Sequence, residues 1–533
     1  MEFATAWEAV RPSIYRLLLT AGVEDRSNLC LPDDDIAFGA KRIRWVEGAE
    51  DGVFLKHGYD INRAADAEIA IIASAVMSAA RDPIEPHVVS LYQLLMDDQA
   101  VRSITSVLSL LSERDVEMVS ELAMLGRWLA TEAPDRQPVK FGLALLGRFG
   151  NPLDINVILC IGQHEEFTLY AADAIVELMT NPDPWLWSLA KKVHGWGRIH
   201  TVDRLSTTTD PAIKGWMLRS GYKNSVMYEY LAYQCATSGE LLTALQQREP
   251  DEALLEGARD IIEALLAGGP AKSMTDYEDG AEVVQLYMRH VASRIPDNIA
   301  VFRTIQSILT HVDDGDTDWS VEAHGCWTEN VRRQIALDAA EILAREEWRE
   351  IVDRGLLSND EYIFSLAASA IDRLGGDAWQ VRHDRQRRLP TTSQWYWLMQ
   401  SSDPDQIDQV LVTAEEQIDL AAIASGPEEA LGLGAEFKQH QVLDWLLHAL
   451  SRFPGKGWRF IAAGVRSPVI RNRNFALRAA AHWGSAAWPP GGQAIIERAR
   501  AEETNTDLYL KFANVLDGRP FTDGIVRHTQ PKH

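Results

Sequence analysis

The sequence predicts an all-α protein built as a solenoid of stacked helix pairs. Three observations predict it. Proline and glycine punctuate the 533-residue chain at short intervals, and proline suits a helix's first turn but breaks its interior. The segments between breaks carry apolar residues at helical rather than strand spacing. Similar cadences also recur: RQPVKFGLALLGRFG (136–150), TENVRRQIALDAAEILAR (328–345), NDEYIFSLAASAIDRLGG (359–376) and RSPVIRNRNFALRAAAHWG (466–484). In the last, Pro468 opens a helix and Gly484 closes it. Arg and Asn are expected on one side, with small apolar residues filling the other.

Taken in order, residues 1–62 form an N-terminal cap. Within Ile36–His57, RIRWV and GVFLKH flank EGAEDG, a pattern that fits a small β-hairpin or else an irregular loop. Residues 63–300 form a first helical array; in Glu68–Ala80, Ile69, Ile72, Ala73, Val76 and Met77 share a face. Residues 301–518 form a second; in Asn330–Arg345, Val331, Ile335, Leu337, Ala339, Ile342 and Leu343 point one way. The acidic loop Asp313–Asp318 is a plausible junction. Residues 519–533 read as a frayed tail. No single period fits, though the spacing is close to the 35–47 residues of helix-pair solenoids. The cadence of Asp or Pro, then Val or Ile, Arg, Ala and Leu resembles HEAT and armadillo repeats. That resemblance implies an open curved array that binds partners.

Composition bounds the chemistry. The charge is −25, from 77 acidic and 52 basic residues, which disfavours broad nucleic-acid binding. Cys30, Cys160, Cys235 and Cys326 form no CxxC pair, so no zinc site is expected. Three of them fall in apolar helical stretches and read as reduced thiols in a reducing compartment. The N-terminal MEFATAWEAVRPSIYRLL lacks a signal-peptide pattern, and no window reaches the ~18 apolar residues of a membrane span. A soluble, cytoplasmic protein with no membrane contact is expected.

Catalytic signatures are missing. GGPAKS (268–273) lacks the glycine a phosphate loop needs before Lys272. There is no GxSxG elbow and no HExxH helix, and Gly432-Leu433-Gly434 completes no dinucleotide fingerprint. Counted from Asp314, a calcium loop would need glycine where Trp319 stands and glutamate where Gly325 stands. No cofactor is expected.

Two segments stand out. In 194–239, Arg198, His200, Asp203, Arg204, Lys223, Asn224 and Glu229 lie among Trp196, Trp216, Tyr222, Tyr228, Tyr230 and Tyr233. Asn224 is placed to cap the helix after Lys223. The cluster could clamp an anionic or planar ligand through charge-assisted bonds and stacking, or tie neighbouring repeats together. Arg198, His200, Arg204, Lys223, Asn224, Glu229 and Tyr230 are the binding candidates. Gly197-Arg198-Ile199-His200 and Asn224-Ser225-Val226-Met227, with Glu229-Tyr230-Leu231-Ala232, also resemble a segment of bacterial helical-repeat proteins, some labelled limonene hydroxylase. A hydroxylase would need haem, flavin or non-haem iron.

The second segment, 452–484, carries Arg452, Lys456, Arg459, Arg466, Arg471, Arg473 and Arg478 and no acid. Arg466, Arg471, Arg473 and Arg478 are the candidates there, with Trp458, Phe460, Phe475 and Trp483 available for stacking. The alternative is that these cations pair with acids on adjacent repeats. HDRQRR (383–388) reads as a helix end, where cations meet the negative dipole. Tryptophan pairs such as Trp185/Trp187 and Trp395/Trp397 read as core fillers, or as binding anchors if exposed.

The leading expectation is therefore a non-enzymatic scaffold that presents a concave helical surface to a protein partner. An enzyme of undefined reaction is the alternative. Nucleic-acid processing, with a concave basic surface like that of helical-repeat DNA glycosylases, is a more distant one.

Overall fold

The computed structural model describes residues 3, 6–7, 11–39, 44–57, 64–114, 118–295, 297–321, 325–519 and 521. It is all-helical. Among these residues there is no strand, only a single bridge between Ala430 and Val469. The chain forms two compact units, 1–346 and 347–533. The helix Ile299–Val312 runs through the division expected at 300/301.

The expected hairpin is replaced by helix. GVFLK lies inside the helix Ala49–Lys56. Of RIRWV, Arg44, Trp45 and Val46 are non-helical coil, and the rest lies outside the described residues. The reason is visible in spacing. Gly48, Gly52 and Lys56 recur every fourth residue and all face the body of the first unit, which is helical periodicity. Glu50 and Asp51 fall in the first turn, where the helix dipole favours acids.

In the first unit the helices Arg136–Phe149, Glu165–Leu178, Trp196–Asp203 and Glu229–Ser238 pack each against the next. Shorter helices, Ile155–Gly162 and Asp183–Ala190, lie between them in sequence and touch one another. Successive packed helices begin at 136, 165, 196 and 229, closer together than the 35–47 residues expected. Aspartate before proline starts several helices: Asp210 accepts from Ala212 N–H beside Pro211, and Asp403 from Asp405 N–H beside Pro404. The apolar stripes mostly fall inward as read, including Ile72, Ala73 and Val76. Leu337 is the exception and is exposed.

Much of the second unit packs around a large apolar core. Trp395, Leu398, Leu443, Leu447, Phe460, Leu477, Trp483 and Phe512 meet in it. The helix Ile470–Trp483 supplies Ala476, Leu477, Ala479 and Ala480 to that core and ends at Gly484, whose φ is 70°. Asn472 and Arg473 also point inward, contrary to the expectation that Arg and Asn line one outer side. HDRQRR does close a helix, Ala378–Arg388. Two cysteines, not three, sit in helices: Cys160 and Cys235 are buried, Cys326 is half-buried in a turn, and Cys30 is exposed. No helix among the described residues is long and apolar enough to cross a membrane.

Candidate functional site

Residues 33–39 and 44–57 of the same chain lie against the helices that carry the central polar cluster. This strap contacts four packed helices. Asp33 receives the Arg136 guanidinium at 3.1 Å, and Asp34 at 2.5 Å. Gly48 N–H donates to Glu166 at 3.0 Å. Asp51 takes Lys140 Nζ at 2.8 Å and the Tyr170 hydroxyl at 2.9 Å. A Cβ at Gly52 would stand 2.2 Å from the Trp196 ring, so only glycine lets the strap lie this close. Lys56 pairs with Asp203 at 2.5 Å, and His57 Nε2 lies 2.8 Å from the Tyr230 hydroxyl.

The charges under the strap compensate one another. Lys140 also donates to Glu166 at 2.6 Å. Burial opposes ionisation of Glu166, but Lys140 and then Arg136 outweigh it and hold the carboxyl down to about 2. Burial likewise works against the Lys140 ammonium, and Asp51 and Glu166 more than reverse it, raising its pKa. A buried network of this kind is stable only while every member is present. None of its acids or bases outside 194–239 carried a motif in the sequence. The one available signal was the acid run Asp33-Asp34-Asp35, which lies outside any catalytic pattern.

The central candidates turn out to be fasteners. Arg198 is buried, and its guanidinium donates to the carbonyls of Ala190, Val193, Ser220 and Lys223 at 2.7–3.1 Å. Burial lowers its pKa. Asn224 does not cap a helix; the next one begins at Glu229. Its side-chain oxygen accepts from Val226 and Met227 N–H, and its amide donates to Tyr222 and Met227 carbonyls. Ser225 N–H donates to His194 O at 2.7 Å. Residues 197–198 and 224–225 are thus joined through the carbonyls of Lys223 and His194. Buried Glu165 accepts N–H from His194, Gly195 and Gly197 at 2.5–2.9 Å. A Cβ on Gly197 would come 2.6 Å from Thr168 Oγ1.

His200 is fully enclosed and packs its ring near Trp196, and its Nε2 has no hydrogen-bond partner. Burial first, then Arg204 and Lys56, drive its pKa well below the ordinary imidazole value. Arg204 pairs with Asp173 at 2.5 Å and donates to His200 O. Tyr230 is buried against Trp196, Glu229 is half-exposed, and Lys223 is exposed with its ammonium 5.6 Å from the Tyr222 ring. Arg198, His200, Asn224 and Tyr230 are all buried in the fold. Beyond Leu55 the face opens into a groove of about 320 Å³, lined by Ile104, Leu108, Ala144, Leu169 and Tyr170.

The basic run is equally engaged. Lys456 pairs with Asp408, Arg459 with Glu415 at 2.8 Å, and Arg466 with Glu502 at 3.2 Å. Arg471 meets Asp444 at 2.5 Å. Arg473 meets Glu503 at 2.8 Å with both side chains 0% exposed, an interior ion pair. Arg452 donates to Met399 O, and Arg478 lies 5.4 Å over Phe475. The pairing alternative accounts for most of this run.

What sequence reasoning left undecided is an exposed aromatic stripe in the second unit. Trp395 is buried, but its neighbours Tyr396 and Trp397 are 38% and 47% exposed, and Trp445 is 42% exposed. Tyr396 stands 5.0 Å from Trp397 and 5.1 Å from Trp445, edge to face. One turn along the same helix, His448 meets Phe475 at 5.4 Å, and Arg478 continues the line over Phe475 towards Phe521 and Lys511.

No protein-family model matches this chain, and no curated protein matches it. Among the described residues, no group of three or more His, Cys, Asp or Glu side chains is placed to hold a metal ion.

Proposed function

We propose that this chain is a non-enzymatic binding protein: a HEAT-like helix-pair solenoid that presents the second unit's helical surface to a protein partner. It acts in the cytoplasm. The observation that carries the reading is the trio Tyr396, Trp397 and Trp445, three touching rings that stay open to water. Large aromatic side chains left exposed together are the usual anchors of interfaces, because they bury much area with few rotors to freeze. The first unit's face supports the reading less directly, since its polar groups are spent on the strap.

The test is affinity capture with the intact chain, comparing it with Trp397→Ala and Trp445→Ala. Both side chains are surface groups, so the fold is expected to persist by circular dichroism. A partner retained equally by both variants would refute this surface as the docking site. A stoichiometric flavin, haem or metal in purified protein would refute the non-enzymatic reading.

A further inference from the structure

We infer that the first unit carries a binding site for a small organic ammonium ion, an amine on an apolar body, between the helices Glu252–Ala267, Gly280–Ala292 and Ile299–Val312. The inference concerns other residues than the aromatic surface proposed above and does not rest on that reading.

The three helices pack on one another and line a hollow of about 250 Å³. That is below the roughly 300–1,000 Å³ of sites for drug-sized ligands, so it suits a small molecule and not a peptide. Sequence spacing builds it. Glu252, Leu255, Glu256 and Arg259 are three and four residues apart and so share one face of the first helix. Tyr287, Val291 and Arg294 do the same on the second and just beyond it. Asn298 caps the third by accepting from Ala300 N–H at 2.9 Å, and Val301 follows within one turn.

Two features of the hollow point to a ligand. The first is Tyr287, which is 1% exposed and forms part of the wall with Leu255, Val291 and Val301. Its hydroxyl has no hydrogen-bond partner among the described residues. Burial raises its pKa, Arg259 opposes the rise, and Glu263 and Asp260 add to it, so the group stays a neutral hydroxyl. Buried hydroxyls are as a rule hydrogen-bonded, and this one can accept from an ammonium N–H.

The second feature is charge. Glu252, Glu256 and Asp297 line the hollow, and none of them is ion-paired among the described residues. Glu256 only favours the Arg259 cation from a distance. Arg259 and Arg294 line the hollow too. Arg259 is already held by Asp260 at 2.8 Å, and Arg294 donates to the carbonyl of Pro250 at 2.8 Å. With Asp260 counted, four acids stand against two cations. The charges next to these do not reverse the balance. Asp251 is taken by Arg219 at 2.6 Å, and Arg248 and Glu249 offset each other just before the first helix. Arg289, Arg303 and Glu263, on the same three helices, line other hollows.

Together these features select the ligand. Among the described residues no three acids converge as metal ligands do, so the charge suits a bulky cation and not a bare metal ion. Apolar walls bury a hydrocarbon body, and the excess carboxylates hold its ammonium. An anion meets repulsion from the same acids.

Isothermal titration calorimetry of the full chain tests the site, with benzylamine as the probe. Benzyl alcohol, benzoate and phenylglycine are neutral, anionic and zwitterionic probes of similar size. Benzylamine is expected to bind, weakening as salt rises, and each of the others to bind at least about tenfold less well. Glu252→Gln combined with Glu256→Gln should weaken benzylamine about tenfold, and Tyr287→Phe about fivefold. Asp66→Asn, at an exposed acid of the same unit, should change nothing. Both glutamates are exposed, so the circular dichroism of the paired variant should match the natural chain. Equal or tighter binding of any comparison probe would overturn the inference. So would no binding of benzylamine, or binding that the paired Glu→Gln substitutions leave intact.

Discussion

Lys140 and Asp51 meet at 2.8 Å with both side chains withdrawn from water, the lysine from a helix of the first unit and the aspartate from the strap that crosses it. The pair joins two stretches far apart in sequence and is shared with Glu166 and Tyr170. Replacing Lys140 by Met leaves two buried carboxylates facing each other without their cation. The expected cost is about 3–5 kcal/mol. Chemical denaturation followed by circular dichroism measures it. The transition of the first unit should move to lower denaturant, while that of the second unit keeps its midpoint.

The same network gives an acid limit. Glu166 is held down to about 2, against an ordinary 4.5. A depressed carboxyl stabilises fully above its unfolded value and loses that contribution as pH falls from about 4.5 towards 2. Asp33 works with the opposite sign, because burial, exceeding the pull of Arg136, raises its pKa. Denaturation curves at pH 5 and pH 3 should show a steep loss for the natural chain. Glu166→Gln should be less stable at pH 5 and flatter between the two pH values.

How much of this was legible follows from which signals are local. Helix starts such as Asp210-Pro211 and Asp403-Pro404, and apolar stripes such as Ile72-Ala73-Val76, are written within a few residues, so the all-helical class was readable. The strap was not. Its alternating RIRWV and GVFLKH look like strands, and the partners of the helix Ala49–Lys56 and its N-cap, Glu166, Trp196 and Asp203, lie more than a hundred residues away. The central polar residues stand out in the sequence as a group, but sequence does not say that Arg198 faces four carbonyls. Trp395 and Trp397 differ by two positions and take opposite fates, because a helix turns them to different sides.

His200 tests whether the central cluster is structural. Its Nε2 is buried without a partner beside Lys56, Asp203 and Arg204. Because its folded pKa is depressed, the unfolded chain binds more protons below about 6.5, so stability falls as pH drops through that value. His200→Phe removes the unsatisfied atom and keeps the ring against Trp196. At pH 7 its stability should lie within about 1 kcal/mol of the natural chain. Between pH 7 and 5 its thermal midpoint should fall less. An equal fall would show that the imidazole charges without penalty.

Arg471 and Arg473 are two residues apart on one helix and read alike in the sequence, yet their substitutions should differ sharply. Arg473 is 0% exposed, pairs with Glu503, and also donates to the carbonyls of Ser467, Pro468 and Glu428. Arg473→Ala removes four sets of bonds and leaves a buried carboxylate unpaired. That should cost about 3–5 kcal/mol. Arg471 is partly exposed, and Asp444 keeps Asn472 as a donor when Arg471 is removed. Arg471→Ala should cost about 1 kcal/mol or less. Thermal melts of the two variants side by side decide it. Similar midpoints would mean that the Arg473–Glu503 pair is solvated, and that Arg473 belongs to the outer basic surface after all.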